Sequence, residues 1–237
     1  MTGVTLPGVA MLCARTTRSQ AYLQRLLHEG LRPEAVIVYG TPGDRIVSPV
    51  ALQRPAAPPW RPDLSVPLET TADDLGAQVV LVDDRAITGA ELERAVRAVG
   101  PALAVFSGYP GQLVPPSLLG VAPHLHVHAG ELPAFRGSTT LYYAALEGRD
   151  PVATAILLDE EIDTGQVVGS ATAPLRRDEI DPDHSFDNAL RAEALVPVLR
   201  HRAEHGCLPE PRPQPDGGRL HYVIHPVLKH LALLGSR

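Results

Sequence analysis

Four short apolar runs, set apart by longer stretches, constrain this chain more than any other feature. They are Gly8–Ala14, Ala35–Tyr39, Val79–Val82 and Ala102–Phe106. Two of the intervening stretches have helical spacing. Tyr22, Leu23, Leu26 and Leu27 follow the capping candidates Thr16, Thr17 and Ser19 and stop at Gly30. In Ala90–Val99, Leu92, Val96 and Val99 fall on one face. Apolar runs of strand length, separated by amphipathic helices, read as βαβ units. Parallel strands need crossovers of this length, so the pattern predicts a mostly parallel, Rossmann-like α/β sheet flanked by helices.

The second half continues the alternation. Ser138 or Thr139 is placed to cap a helix through Leu141, Tyr142, Ala145 and Leu146, ending at Gly148. Val152–Leu158 and Gln166–Ala171 read as a hairpin at the sheet edge, joined by the Asp159–Gly165 turn. Phe186–Ala203 has a helical pattern that Pro197 should kink or interrupt. Leu208–Gly218 is rich in Pro and Gly and reads as a linker, Tyr222–Ile224 as a short strand, and Val227–Leu234 as an apolar tail. Residues 1–205 are therefore expected to form the main domain, and 206–237 a Pro-rich appendage. Thr41–Pro67, rich in Pro, is too long for an ordinary connection and reads as a flap or a substrate-facing insertion. Trp60, alone inside it, is expected to pack rather than stack on a substrate.

The stretch Leu125–Gly137, LHVHAGELPAFRG, carries the chemistry. His124, Leu125, His126, Val127 and His128 alternate as a strand, and the chain then breaks at Gly130 and Pro133. Side chains two apart on a strand share a face. His126 and His128 therefore point the same way, at the carboxyl end where open α/β sheets bind ligands. Asp163, before Thr164-Gly165, offers a carboxylate on the downstream turn. Two imidazoles and a carboxylate can move protons. Standing alone, a strand histidine is more often a core residue, and His124, deeper in the sheet, is read as structural. Asp163 could also be simply a turn residue bonding its own backbone, the less favoured reading.

Composition removes several function classes. Twenty-one basic against 27 acidic residues give a net charge of −6, which argues against a nucleic-acid binder. Cys13 and Cys207 lack a CxxC partner, so neither a disulfide framework nor a four-cysteine zinc site is expected. No run reaches the ~18 apolar residues of a membrane span, and no secretory leader pattern opens the chain. These readings give a soluble, cytoplasmic protein without a membrane partner. Gly108 and Gly111 form no GxGxxG string, so a phosphate cradle there is disfavoured.

Taken together, the motifs resemble the formyltransferase family, which uses 10-formyltetrahydrofolate. The family pattern is Asn-x-His, a small loop, Leu-Pro-x-x-Arg-Gly, then an Asp-x-Gly turn. Here it reads His126-Val127-His128, Leu132-Pro133-Ala134-Phe135-Arg136-Gly137 and Asp163-Thr164-Gly165. Gly108–Pro115 is similar to the family loop bordering the pterin pocket, and the likeness spans about residues 75 to 170. The resemblance implies His128 as donor to the formyl oxygen and general acid–base, with Asp163 orienting it and taking up the amine's proton. It implies folate contacts from Tyr109, Gln112, Leu113 and Val114 and from the Asp159, Glu160, Glu161, Ile162 turn. Phe135 would face the acceptor, and Arg136 would face it or brace the loop. The implied co-substrate is 10-formyltetrahydrofolate and the implied partner a small-molecule amine such as an amino sugar; a homodimer is admitted.

One departure stands out: His126 replaces the family's Asn, and Ala129 replaces its Pro. The Asn amide donates to the developing oxyanion, a contact typically worth ~2.7–4 kcal/mol in the transition state. His126 can act as a second donor only if the nitrogen facing the substrate carries a proton. A folate-dependent deformylase or hydrolase uses the same residue set, and a catalytically altered folate-fold binding protein is a further alternative. A metal site on His124, His126 and His128 is the least favoured reading, since it lacks further ligands.

Overall fold

The computed structural model describes residues 3–42 and 59–236. Its centre is a seven-stranded sheet built from β1 (Val4–Ala14), β2 (Leu31–Tyr39), β3 (Gln78–Val82), β4 (Leu103–Ser107), β5 (His124–His128), β7 (Val152–Leu157) and β8 (Val167–Thr172). The order is β3-β2-β1-β4-β5-β7-β8. The first five strands are parallel, whereas β7 is antiparallel to both β5 and β8. The expected parallel sheet and edge hairpin are both present. Thr41–Pro67, expected as a flap or insertion, lies for the most part outside the described residues, at 43–58.

Both faces of the sheet are covered, as the near-continuous apolar strands require. Val9, Met11 and Cys13 pack with Tyr22, Leu23 and Leu26 of α1 (Thr17–His28) and with Leu195 and Leu199 of α6 (Asp187–His205). Leu12 and Ala14 point the other way, toward Leu92 and Val96 of α3 (Ala90–Val99). Period-two alternation along one strand thus feeds two cores. Thr16 caps α1, its side chain accepting from Ser19 N at 3.2 Å. Of the kink or interruption expected at Pro197, the interruption does not occur, since α6 continues as one helix through it. Its buried face, including Leu190, Leu195 and Leu199, holds it despite the lost backbone bond. Trp60 lies over Arg25, 5.6 Å from the guanidinium, and 6.4 Å from the His28 ring, in the packing role expected of it. Short helices α2 (Leu68–Asp74) and α4 (Pro116–Leu119) complete this part. Among the described residues no helix is long and apolar enough to cross a membrane.

The Pro-rich segment is not a free tether. Arg212 exchanges both backbone bonds with Val167, at 2.8 and 2.9 Å. Gln214 Nε2 donates to the carbonyls of Asp163 and Gly165 at 2.9 and 2.8 Å. The late strand is β9 (Arg219–His221), three residues before the expected one, and it pairs in parallel with β6 (Phe135–Gly137). The apolar tail is a helix, α7 (Pro226–Gly235), whose Lys229 bonds Asp183 at 2.8 Å. Thr139 stands at the start of α5 (Thr140–Leu146) but makes no cap bond. Its hydroxyl instead accepts from Ile224 N at 2.9 Å, so the tail has taken the capping group.

Gly218 shows how tightly the tail is seated. It has φ +91°, and a Cβ there would lie 1.7 Å from the Pro133 carbonyl oxygen. Gly218→Ala is expected to lose about 1–3 kcal/mol of stability. A denaturant midpoint equal to that of the wild type would show that β9 is held elsewhere.

Candidate active site

The site begins where β5 ends. After His128 the chain folds back so closely that a Cβ on Gly130 would lie 2.4 Å from the Phe135 oxygen and 2.7 Å from His128 Nε2. Thr154 on β7 pins this bend by donating to the Gly130 carbonyl at 2.6 Å. The returning β6 then sets the Phe135 carbonyl 2.8 Å from His128 Nε2.

Asp163 reaches the same imidazole from the β7–β8 turn. Because β7 is antiparallel to β5, Leu158 leaves the sheet beside His124, donating to its carbonyl at 2.8 Å. The turn must then travel four residues' length, roughly 13 Å, to reach His128. Asp159 stiffens it by accepting from Glu161 N at 3.2 Å and Thr164 Oγ1 at 2.7 Å. Asp163 itself adopts φ +58°, a left-handed conformation that Asp tolerates better than most residues. Its Oδ1 lies 3.3 Å from His128 Nδ1, and its Oδ2 accepts from Gly137 N at 3.0 Å. Burial works to raise this carboxyl, but the His128 and Gly137 contacts outweigh it and hold the group below the usual range. Both ring nitrogens of buried His128 thus face oxygen acceptors, and a neutral imidazole can donate to only one.

His126 shares the face but not the setting. Its Nδ1 lies 3.3 Å from the Phe106 carbonyl, and its ring lies 5.9 Å from that of Phe106. Burial, then Arg18 and Arg191, push it down to about 3, against the opposing pull of the Phe106 carbonyl. Arg18, on the first turn of α1, donates through Nε to Ser107 Oγ at 3.3 Å and through Nη2 to the Gly108 carbonyl. Arg191 on α6 binds Asp187 at 2.9 Å and the Val127 carbonyl at 2.7 Å. Both sit at the carboxyl ends of β4 and β5, beside the point where the strand order reverses. Pattern reading missed these arginines, because nothing local in the sequence marks them.

The other expected residues are spread around this centre. His124 is buried and donates to Ala122 O at 2.8 Å, the structural role expected of it. The Gln112 side chain is consumed by the loop: its Oε1 accepts from Tyr39 Oη at 2.8 Å and Tyr109 N at 3.1 Å, and its Nε2 donates to Arg85 O at 2.7 Å. Tyr109 is buried against Tyr39, 5.7 Å between rings. Val114 is buried, whereas Leu113 and Ile162 are 58% and 52% exposed. Glu160 and Glu161 are exposed on the turn. The Phe135 ring, expected at the acceptor, is instead 3% exposed and stacked on His221 at 5.2 Å, because β9 covers it. His221 is held between Phe135 and Tyr143. Arg136 makes no ion pair among the described residues, and its Nε is buried without a partner. No three His, Cys, Asp or Glu side chains among those residues gather as a metal site.

Residues 9–184 match the family model described as Formyl transferase. The chain belongs to that family. The methionyl-tRNA formyltransferases of Acidothermus cellulolyticus and Salinispora tropica are 31% and 34% identical over 170 and 177 residues. Each alignment covers 70% of this chain but 52% and 54% of the relative, so the chain spans about half the length of these curated relatives. Among solved structures, a sugar N-formyltransferase from a Shewanella species has TM-score 0.59 at 12% identity, covering 96% of this chain and 87% of that one. Glycinamide ribonucleotide transformylase 1 from Symbiobacterium toebii has TM-score 0.53 at 21% identity, with 85% of each chain covered. HypX from Aquifex aeolicus, in complex with tetrahydrofolic acid, has TM-score 0.55 at 16% identity over 95% of this chain and 33% of its own. These likenesses establish the formyltransferase fold.

The depressed His126 carries a stability consequence. In the native state it stays neutral down to about 3, while in the unfolded chain it takes a proton below its ordinary 6.5. Between those values the unfolded state binds more protons, so stability is full above 6.5 and falls as the pH drops. Denaturant midpoints measured from about pH 7 to about pH 4.5 should fall more steeply for the wild type than for His126→Gln. Parallel curves would show that His126 does not resist protonation.

Proposed function

We propose that this chain transfers the formyl group of 10-formyltetrahydrofolate to the amine of a small molecule. The observation that supports this most is the 3.3 Å contact between His128 and Asp163, formed across 35 residues of chain at the carboxyl end of the sheet. Family membership and the fold fit the same co-substrate. The pterin's polar edge would lie on the main chain of Gln112, Leu113 and Val114 and on the turn Asp159–Ile162. The exposed Leu113 and Ile162 supply apolar surface for its ring on either side.

In the proposed reaction the amine's lone pair adds to the formyl carbon, and the carbonyl oxygen takes up negative charge. His128 exchanges its Phe135 carbonyl contact for that oxygen and donates to it. The amine's proton passes to Asp163, directly or through water. The bond from the formyl carbon to N10 then breaks and N10 takes the proton, leaving a formamide and tetrahydrofolate. Arg136, whose guanidinium pairs with no carboxylate among the described residues, is available to an anionic group on the acceptor.

A second reading keeps the site and changes the acceptor to methionyl-tRNA, which the names of the curated relatives favour. The net charge of −6 favours the small molecule. Product analysis with 10-formyltetrahydrofolate and water alone, an amino-sugar and amine panel, or methionyl-tRNA separates hydrolase, small-molecule transferase and tRNA transferase. Formylation of an amine in the panel, but not of tRNA, is the expected outcome. His128→Ala and Asp163→Ala should each remove turnover by at least ~100-fold while the fold persists. Full activity in either variant would take that residue out of the mechanism. Arg136→Ala should raise KM for an anionic acceptor and leave KM for the folate unchanged.

A further inference from the structure

The histidine that replaces the family's Asn presents a lone pair, not an N–H, to the reaction centre. Its Nδ1 lies 3.3 Å from the Phe106 carbonyl, which can only accept, so the ring proton belongs on Nδ1. A neutral imidazole has one N–H, which leaves Nε2 as an acceptor. A second proton is opposed from each side: Arg18 approaches from α1, Arg191 from α6, and His128 shares the strand face. Of the carboxylates nearby, Asp163 on the turn is already bonded by Gly137 N and faces His128 Nδ1, and Asp187 on α6 is taken up by Arg191. Nε2 of His126 has no partner among the described residues and, unlike the sealed Nε2 of His124, it reaches solvent. His128, in contrast, has both nitrogens engaged by the protein.

We infer that Nε2 of His126 accepts a hydrogen bond from an N–H of the attacking amine, and so aims the nitrogen lone pair at the formyl carbon. This deepens the transferase reading and rests on it. It reverses the donor role expected from the family's Asn. The positive field of Arg18 and Arg191 works in the same direction, since it disfavours an ammonium at this point and favours the neutral, nucleophilic amine. His126 here orients the nucleophile, while the proton itself leaves toward Asp163.

Two measurements on the full chain test the inference. Long-range proton–nitrogen correlation spectra with isotope-labelled histidine, assigned by comparison with His126→Gln, report the tautomer directly. The expected result from about pH 5 to 8 is a neutral ring protonated on Nδ1. A proton on Nε2, or an imidazolium at neutral pH, overturns the inference. The second measurement uses whichever amine of the panel is formylated. His126→Asn reaches only the Nδ1 position and should lose roughly tenfold or more in kcat with KM for the folate unchanged. His126→Gln, whose amide oxygen reaches the Nε2 position, should recover part of that loss. An Asn variant as fast as the wild type refutes the acceptor role. Failure of every amine to be formylated removes the transferase reading itself, whereas the wrong tautomer in an active enzyme removes only this inference.

Discussion

The Asp163 carboxylate joins pieces of chain that lie far apart in the sequence, and the geometry of the site hangs on it. One oxygen faces His128 at the end of β5, the other takes the Gly137 amide of β6, and the residue's own carbonyl is held by Gln214 from the tail. Such bonds, made in partial burial, are stronger than in water, and a buried acceptor left without them would cost ~1–3 kcal/mol. The left-handed backbone at Asp163 is therefore held from several directions at once.

Two imidazoles on one strand face have been given opposite electrical surroundings. The alternation of β5 places His126 and His128 side by side, but the neighbouring helices decide what each can do. Arg18 and Arg191 converge on His126, whereas Asp163 converges on His128. Placing two like groups in different electrical surroundings is a recurring way to assign donor and acceptor roles within one site. What His126 can do is thus set by the arginines at the carboxyl ends of β4 and β5.

Much of this was legible in the sequence, for reasons that can be named. Apolar runs such as Ala35–Tyr39 and Ala102–Phe106 are short, nearly continuous and separated by crossovers, which leaves few arrangements besides a parallel sheet. The pairing of His128 with Asp163 was legible because both lie in motifs with fixed spacing. Arg18 and Arg191 were not, since they meet only after α1 and α6 pack on the same face. The tail was misread for a different reason. Its prolines look like a linker, yet the residues between them, Arg212 and Gln214, still carry the donors that dock it. Thr139 has the chemistry of a helix cap, and only the proximity of Ile224 shows that its hydroxyl is used otherwise.

Phe135 is a shared rung between the tail and β5. Its carbonyl closes one nitrogen of His128, while its ring is stacked on His221 of β9. Any displacement of that late strand is therefore delivered to the imidazole through β6, by the Phe135 carbonyl and by the Gly137 amide on Asp163, like a latch worked from the far end of the chain. A change of sequence in the tail, far from β5 along the chain, thereby reaches the contact that closes this nitrogen of His128.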